Sequence, residues 1–348
     1  MRIRLRSLLL GVGAVLVLAA SAVAQPAPIS ITPQLIEAAK KEGKVIWYTA
    51  IDIKVAEQLA KAFEAKFAGM KVQVERSGAE RVFQRIGQEY ASNIFNVDVV
   101  DSSDAAHFVY YKREGMLQPV VPEDVAKHFA APYKDAEGMF AAWRINLSVI
   151  AYNTQQVKPE EAPKSFADLL DPKWAGKIVK AHPGYSGTIL TSTFQISRDL
   201  GWQYFEKLAQ QRVMQVQSAV DQPNKVAAGE RAVMADGNEY NAALLKQQKA
   251  PIEIVYPTEG APLIIGPAGV MKRAPNQNAA KLFYTWLFTV EGQQFLIDVA
   301  LLRSAHPGVK EPPGRKKLSE IKVMKDDAEA VDKQAEELKA RYMRLFKT

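Results

Sequence analysis

Apolar residues over the first hundred positions fall into two alternating spacings, and each change of spacing marks a new element. "ITPQLIEAAKKEG" carries its apolar residues at helical intervals and stops at Gly43, and "KVIWYTA" then runs apolar with β-branched and aromatic side chains. The pair predicts a helix followed by a strand. "KVAEQLAKAFEAKFAG" sets Val55, Leu59, Ala62, Phe63 and Phe67 on one helical face, and "MKVQVERSG" alternates as a strand before a turn at Ser77 and Gly78. "AERVFQRIGQEYASN" and "VDVVDSS" repeat the scheme. Strands alternating with helices predict a parallel, doubly wound α/β sheet, whose ligands lie beyond the carboxyl ends of the strands. That rule selects Tyr48 and Thr49, Ser77 and Gly78, and Ser102 and Ser103.

After the loop "GMLQPVVPED", the long extended segment "MFAAWRINLSVIAYNT" is suited to joining two lobes. The helix and strand pattern then restarts. "APIEIVYPTEGAPLIIGPAGVMK" is a second extended segment able to carry the chain back, and "NAAKLFYTWLFTVEGQQFLIDVA" predicts an amphipathic helix pair. "HPGVKEPPGRKK" is a loop, and the alternating charges of "KDDAEAVDKQAEELKARYMR" predict a solvated helix face. A chain of 348 residues exceeds the size at which single cores usually divide, so two lobes are expected.

The first 24 residues change the reading of location and charge. Arg2, Arg4 and Arg6 precede an apolar run from Leu8 to Ala20, and Ala22-Val23-Ala24 forms a small-residue cleavage site. This predicts a signal peptide cut between Ala24 and Gln25, too short in its apolar part to span a bilayer. Removing its three arginines takes the formal charge from +7 to +4. Basic residues are interspersed with acidic ones, which predicts no nucleic-acid footprint. The chain holds no cysteine, which excludes a disulfide framework and cysteine-ligated metal centres.

Candidate chemistry concentrates in "AHPGYSGTILTS". Pro183, Gly184, Ser186, Gly187 and Thr188 stand before an apolar helical run, and a helix start offers free N–H groups and partial positive charge to an oxyanion. No H-E-x-x-H, G-x-S-x-G or G-x-G-x-x-G motif is present, and His107, His128, His182 and His306 show no ligand spacing. His182 lies beside the helix start. Asp236 and Glu239 in "ADGNEY" form an acidic pair near the expected pocket.

"VIWYTAIDIKVAEQLAKAFEAKF", "ADLLDPKWAGKIV", "AAGERAVM" and "PTEGAPLIIGPAGVMKRAPNQNAAKLFYTWLFTVEGQQFL" resemble the periplasmic solute-binding proteins of the ferric-iron, thiamine and phosphonate type that serve ABC importers. The resemblance runs from about Ile31 to the C-terminus. It implies a two-lobed α/β fold with a doubly wound sheet in each lobe and two hinge crossovers. The division it implies is a signal peptide over 1–24, lobe 1 over 25–145 plus about 262–300, lobe 2 over 146–261, and a C-terminal helical segment over 301–348 that packs on the lobes. It implies no catalysis and no cofactor. The partners implied are a small-molecule solute and an inner-membrane ABC permease, with the protein a periplasmic monomer.

Carried over by position, the resemblance makes Ser186, Gly187 and Thr188 oxyanion contacts, with Thr49 and Ala50, Ser77 and Gly78, and Ser102 and Ser103 lining the facing lobe. Asp236, Glu239 and Tyr240 complete the expected site. Ferric-binding relatives use an adjacent Tyr-Tyr pair, whereas Tyr240 stands alone here, so an organic or phosphorylated anion is expected. If iron is the solute, Tyr240, Glu239 and Asp52 are the expected ligands. A thiamine-like cation would pair with Asp236 and Glu239 and stack on Trp143, Tyr152 or Tyr185. An exported enzyme on the same scaffold, or a receptor that docks on a sensor, are the readings of other classes.

Overall fold

The computed structural model describes residues 26–348. The predicted signal peptide and its cleavage point lie outside the described residues. The first lobe opens with α1 (Pro33–Glu42), β1 (Lys44–Thr49), α2 (Ile53–Lys66), β2 (Lys71–Arg76), α3 (Ala79–Ala91) and β3 (Val99–Asp101). Thr32 caps α1 by accepting the Leu35 N–H, and Gly43 ends it at a φ of 76°, a left-handed turn that suits glycine. Next come α4 (Ala106–Arg113), β4 (Leu117–Gln118), α5 (Glu123–His128) and the long β5 (Ala141–Asn153).

The second lobe contains β6 (Ile178–Ala181), α6 (Gly187–Leu200), α7 (Trp202–Ala209), β7 (Met214–Val216), α8 (Asp221–Ala227), β8 (Val233–Asn238), α9 (Glu239–Gln247) and β9 (Ile252–Val255). The chain returns through β10 (Ala261–Met271) to α10 (Gln277–Leu287) and α11 (Val290–Ala300), then ends with β11 (Val323–Met324) and α12 (Ala328–Phe346).

The strand order is β2-β1-β3-β10-β5-β8-β6-β7. β1 runs parallel to β2 and β3, and β6 runs parallel to β7 and β8, as helix crossovers require. β10 is antiparallel to β3 and β5, because it re-enters the first lobe from the opposite end. β5 is buried along its whole length. It pairs with β10 as far as Leu147, then with β8 and β9 from Ser148 onward, so one strand serves both lobes. Its near-continuous apolar run is what a strand covered on both faces needs.

Each lobe has its own core. Trp47, Phe63, Phe283 and Trp286 interlock in the first, and Phe166, Ile178, Phe205 and Tyr342 pack in the second. Two of the expected stacking platforms are spent here. Trp143 is fully buried, edge-on to Trp47 at 5.9 Å, and Tyr152 lies in the second core. Tyr185 remains exposed at the rim, beneath Arg81.

The structure adds a buried stripe to α12 beside its solvated face. Val331, Leu338 and Tyr342 form a buried stripe, and Lys339 pairs with Glu80 of the first lobe. Dense charge on the other faces hid the stripe from a pattern reading. Among the described residues no helix is long and apolar enough to cross a membrane.

Candidate functional site

Five helix starts converge on one cavity between the lobes. Ala50 and Ile51 precede α2, Gly78 and Ala79 open α3, Ser186 and Thr188 open α6, Ser218 to Val220 precede α8, and Asn238 and Tyr240 flank the start of α9. Each start carries partial positive charge and N–H groups that lack partners within the helix. Between them stand Arg144 and Asn146 of β5 and Ile264 and Gly266 of β10. Arg144 is the one charged side chain lining the cavity among the described residues, and no carboxylate or imidazole does.

Strand geometry explains how Arg144 and Asn146 arrive there. Two residues apart on β5, they project from the same face. Across the sheet, Gly266 leaves the room the arginine needs, since a Cβ there would lie 2.6 Å from Arg144 Cγ. Arg144 is ion-paired with Asp101, which burial pushes above the ordinary carboxyl range while Arg144, Thr49 and Trp47 counter the rise. Asn146 Nδ2 donates to Asn238 Oδ1 at 2.8 Å, tying β5 to the end of β8.

The lobes meet around this cavity. The Thr188 N–H donates to Ser103 Oγ at 3.2 Å, Arg81 Nη2 donates to Gln217 at 2.8 Å, and the Asp52 N–H donates to the Tyr240 hydroxyl at 3.3 Å. The enclosed cavity is only about 30 Å³. That is room for little more than one or two waters, so the lobes are nearly shut.

Of the residues expected from the sequence, Ala50, Gly78, Ser103, Ser186, Thr188 and Tyr240 line the cavity. Ser186 makes no capping bond with its own helix. The others lie elsewhere. Thr49 is fully buried, where its Oγ1 accepts the Ile51 N–H, and Ser77 bonds through its N–H to the Thr49 carbonyl. Ser102 Oγ lies 2.8 Å from His107 Nδ1 and accepts the Asp104 N–H. Gly187 faces the other lobe instead of the cavity, because a Cβ on it would stand 2.8 Å from Asp104 Cβ and 3.0 Å from Ala79 Cβ.

Asp236 and Glu239 are consumed by internal ion pairs. Lys180 Nζ sits 2.6 Å from Asp236, and Ser192 adds a hydrogen bond; burial raises the Asp236 carboxyl and lowers the Lys180 ammonium. Glu239 takes Arg303 at 2.6 Å, Arg315 at 3.0 Å and the Tyr256 hydroxyl at 2.6 Å; against its burial, these hold its carboxyl below the usual range. The iron set of Tyr240, Glu239 and Asp52 is therefore not assembled. Asp52 caps α2 through the Lys54 N–H, and burial pushes the Tyr240 phenol up to about 12, with Arg144 opposing the rise.

The histidines are also accounted for. His182 accepts the Gly184 N–H and turns its other nitrogen to Thr348, away from the cavity. His306 and His128 do meet Asp124 in space, but the Gly308 N–H donates to His306 Nδ1, which leaves the proton on Nε2, the nitrogen 3.9 Å from Asp124. That tautomer is the reverse of the one in which Nε2 ligates a metal.

Arg144, Asn146, Ser218 and Asn238 escaped the sequence reading. An arginine and an asparagine two positions apart in the otherwise apolar "AAWRINLSVI" were the available signal for the first two.

Comparison with known proteins places this geometry. A model of a bacterial extracellular solute-binding protein family matches residues 96–320. Iron uptake protein A1 of Synechocystis is 25% identical over 324 residues, covering 88% of this chain and 86% of the relative. A probable ABC transporter periplasmic-binding protein of Sinorhizobium fredii is 26% identical over 237 residues, covering 65% of this chain and 64% of the relative. The periplasmic binding protein AfuA from Actinobacillus pleuropneumoniae, solved with exogenous fructose-6-phosphate bound, superposes with a TM-score of 0.81 at 26% identity, covering 88% of this chain and 99% of the other.

Proposed function

The chain belongs to the bacterial extracellular solute-binding protein family, and from that premise we propose that it captures one small anion between its lobes and delivers it to an ABC permease in the inner membrane. The observation that carries the anion reading is the composition of the cavity wall. One guanidinium, five helix starts, two asparagines and several hydroxyls face the space, with no carboxylate to receive a cation. A phosphorylated or carboxylated organic solute fits that donor set, in keeping with the sugar phosphate held by AfuA. The protein acts as a periplasmic monomer, with lobe 1 over 25–145 plus about 262–300 and lobe 2 over 146–261 turning about β5 and β10. A solute larger than the cavity enters when the lobes part and is sealed in as they close, so it must bind the closed state better than the open one.

A melting-temperature screen of sugar phosphates, phosphonates, carboxylates, thiamine and ferric citrate tests the reading, followed by titration of the best binder into wild type and Arg144→Gln. An anion should emerge and lose about a hundredfold or more in affinity in the variant, since a charge-assisted pair in a closed site is removed. Equal binding to both proteins would overturn the assignment.

The second reading is ferric iron. Tyr240 supports it as a phenol at the cavity wall, as does the relative whose name assigns it to iron uptake. It requires a phenolate from a group whose burial opposes ionisation, with Glu239 held by Arg303 and Arg315 and the neighbouring Asp52 carboxylate engaged in capping α2.

A further inference from the structure

Helix α12 is gripped in two different ways. On the second lobe the grip is apolar and tight: Tyr342 is fully buried in the core, edge-on to His182 at 5.2 Å and to Phe205 at 6.3 Å, and Arg341 lies over Trp202 at 4.5 Å. On the first lobe the grip is mainly polar. Lys339 Nζ reaches Glu80 Oε2 at 2.6 Å, and Asp332 pairs with Arg113 at the end of α4. A cavity of about 250 Å³ remains between α12 and Glu80, Phe83, His107 and Tyr110. On the first lobe the apolar share is small, Ala106 of α4 beside Val331 and Leu338, and polar pairs beside a cavity on one side against core packing on the other mark the side that can part.

The polar side leads directly to the solute cavity. Glu80 is almost fully buried in the first turn of α3, which begins at the cavity residues Gly78 and Ala79. His107 Nε2 lies 2.8 Å from Glu80, and His107 Nδ1 lies 2.8 Å from Ser102 Oγ, next to the cavity residue Ser103. Lys339 therefore holds, through Glu80 and His107, the two first-lobe loops that face the second lobe.

We propose that α12 is a latch that travels with the second lobe and closes on the first through Lys339 and Asp332, with Lys339 a positioning residue for the solute cavity. The latch rests on the interlobe cavity being the solute site. Its contacts exist only when the lobes are shut, so they favour the closed state alongside the solute. Apparent affinity rises with the fraction of molecules already closed.

The absence of cysteine in the chain makes the test direct. Spin labels on Lys61→Cys and Lys207→Cys, both exposed and on opposite lobes, report the interlobe distance in protein without solute. The wild type should hold a short-distance population. Lys339→Met should reduce it by about tenfold, as loss of a buried ion pair allows, and Asp332→Lys, at a shallower site, by about threefold. Lys339→Met should also speed dissociation of fructose 6-phosphate or of the anion the melting screen returns.

A wild type that shows only the long distance, or variants whose distances match it, would overturn the latch. Asp332→Lys keeps the test open if Lys339→Met fails to fold. Failure of the cavity reading is seen separately, as binding that survives Arg144→Gln.

Discussion

Adding a single methyl at Gly187 should act on closure alone. Gly187 is the first residue of α6 and has no need of a left-handed backbone, so alanine suits it locally and improves helix propensity by as much as ~1 kcal/mol. The new Cβ would stand 2.8 Å from Asp104 Cβ and 3.0 Å from Ala79 Cβ, both on the facing lobe. Carbon atoms prefer about 3.5–4.0 Å, and neither neighbour can swing aside, because a Cβ is fixed to its backbone. The lobes must therefore stop about 1 Å short of their present approach at this point. Overpacking of this kind costs roughly 1–3 kcal/mol, which is about a fivefold to hundredfold loss of solute affinity.

The open protein never makes the contact. Its melting temperature without solute should hold or rise slightly, while titration with the solute should show the loss. Affinity within twofold of wild type would refute the reasoning, and so would a melting temperature several degrees lower without solute, which would place the contact inside one lobe.

Tyr240→Phe removes the acceptor of the Asp52 N–H, an average hydrogen bond of about 1 kcal/mol, so an anionic solute should lose tenfold at most; abolished binding, with ferric citrate as the solute, would favour the metal reading. Acid should act on Glu80: burial would raise its carboxyl, but His107 and Lys339 hold it down, from 4.5 to about 2. A depressed carboxyl adds stability above its unfolded value and loses it as pH falls through the folded one, here about 3 kcal/mol given up between pH 4.5 and 2. Urea melts of wild type and Glu80→Gln across that window check it, since the variant should lack this part of the slope.

The helices and strands of the first lobe, the two crossover segments and the helix start at Ser186 were legible in the sequence because each is a local property. Periodicity, caps and glycine stops act over a few residues. Three strand-to-helix loops were placed at the cavity by a general rule of α/β sheets, and Gly78 and Ser103 from that rule lie there, with Ala50 supplied by the resemblance. The same rule overreached at Thr49 and Ser102, where a hydroxyl one residue away turns inward to satisfy the backbone N–H groups of Ile51 and Asp104.

Sequence alone determined the α/β class, the two-lobe plan and the resemblance to solute receptors, since these depend on spacing along the chain. Tertiary structure alone decided which charges face the interlobe cavity. Asp236 and Glu239 stand within two positions of cavity residues in sequence, yet each is neutralised by a cation far away along the chain, Lys180 for one and Arg303 with Arg315 for the other. Arg144 reads as one more position in a buried strand until Gly266 leaves room beside it, Asp101 pairs with it and the cavity opens along it. A buried charge is settled by whichever partner the fold brings within hydrogen-bonding distance, because an unpaired one costs several kcal/mol. Partners 50 or more residues apart leave no local pattern to read.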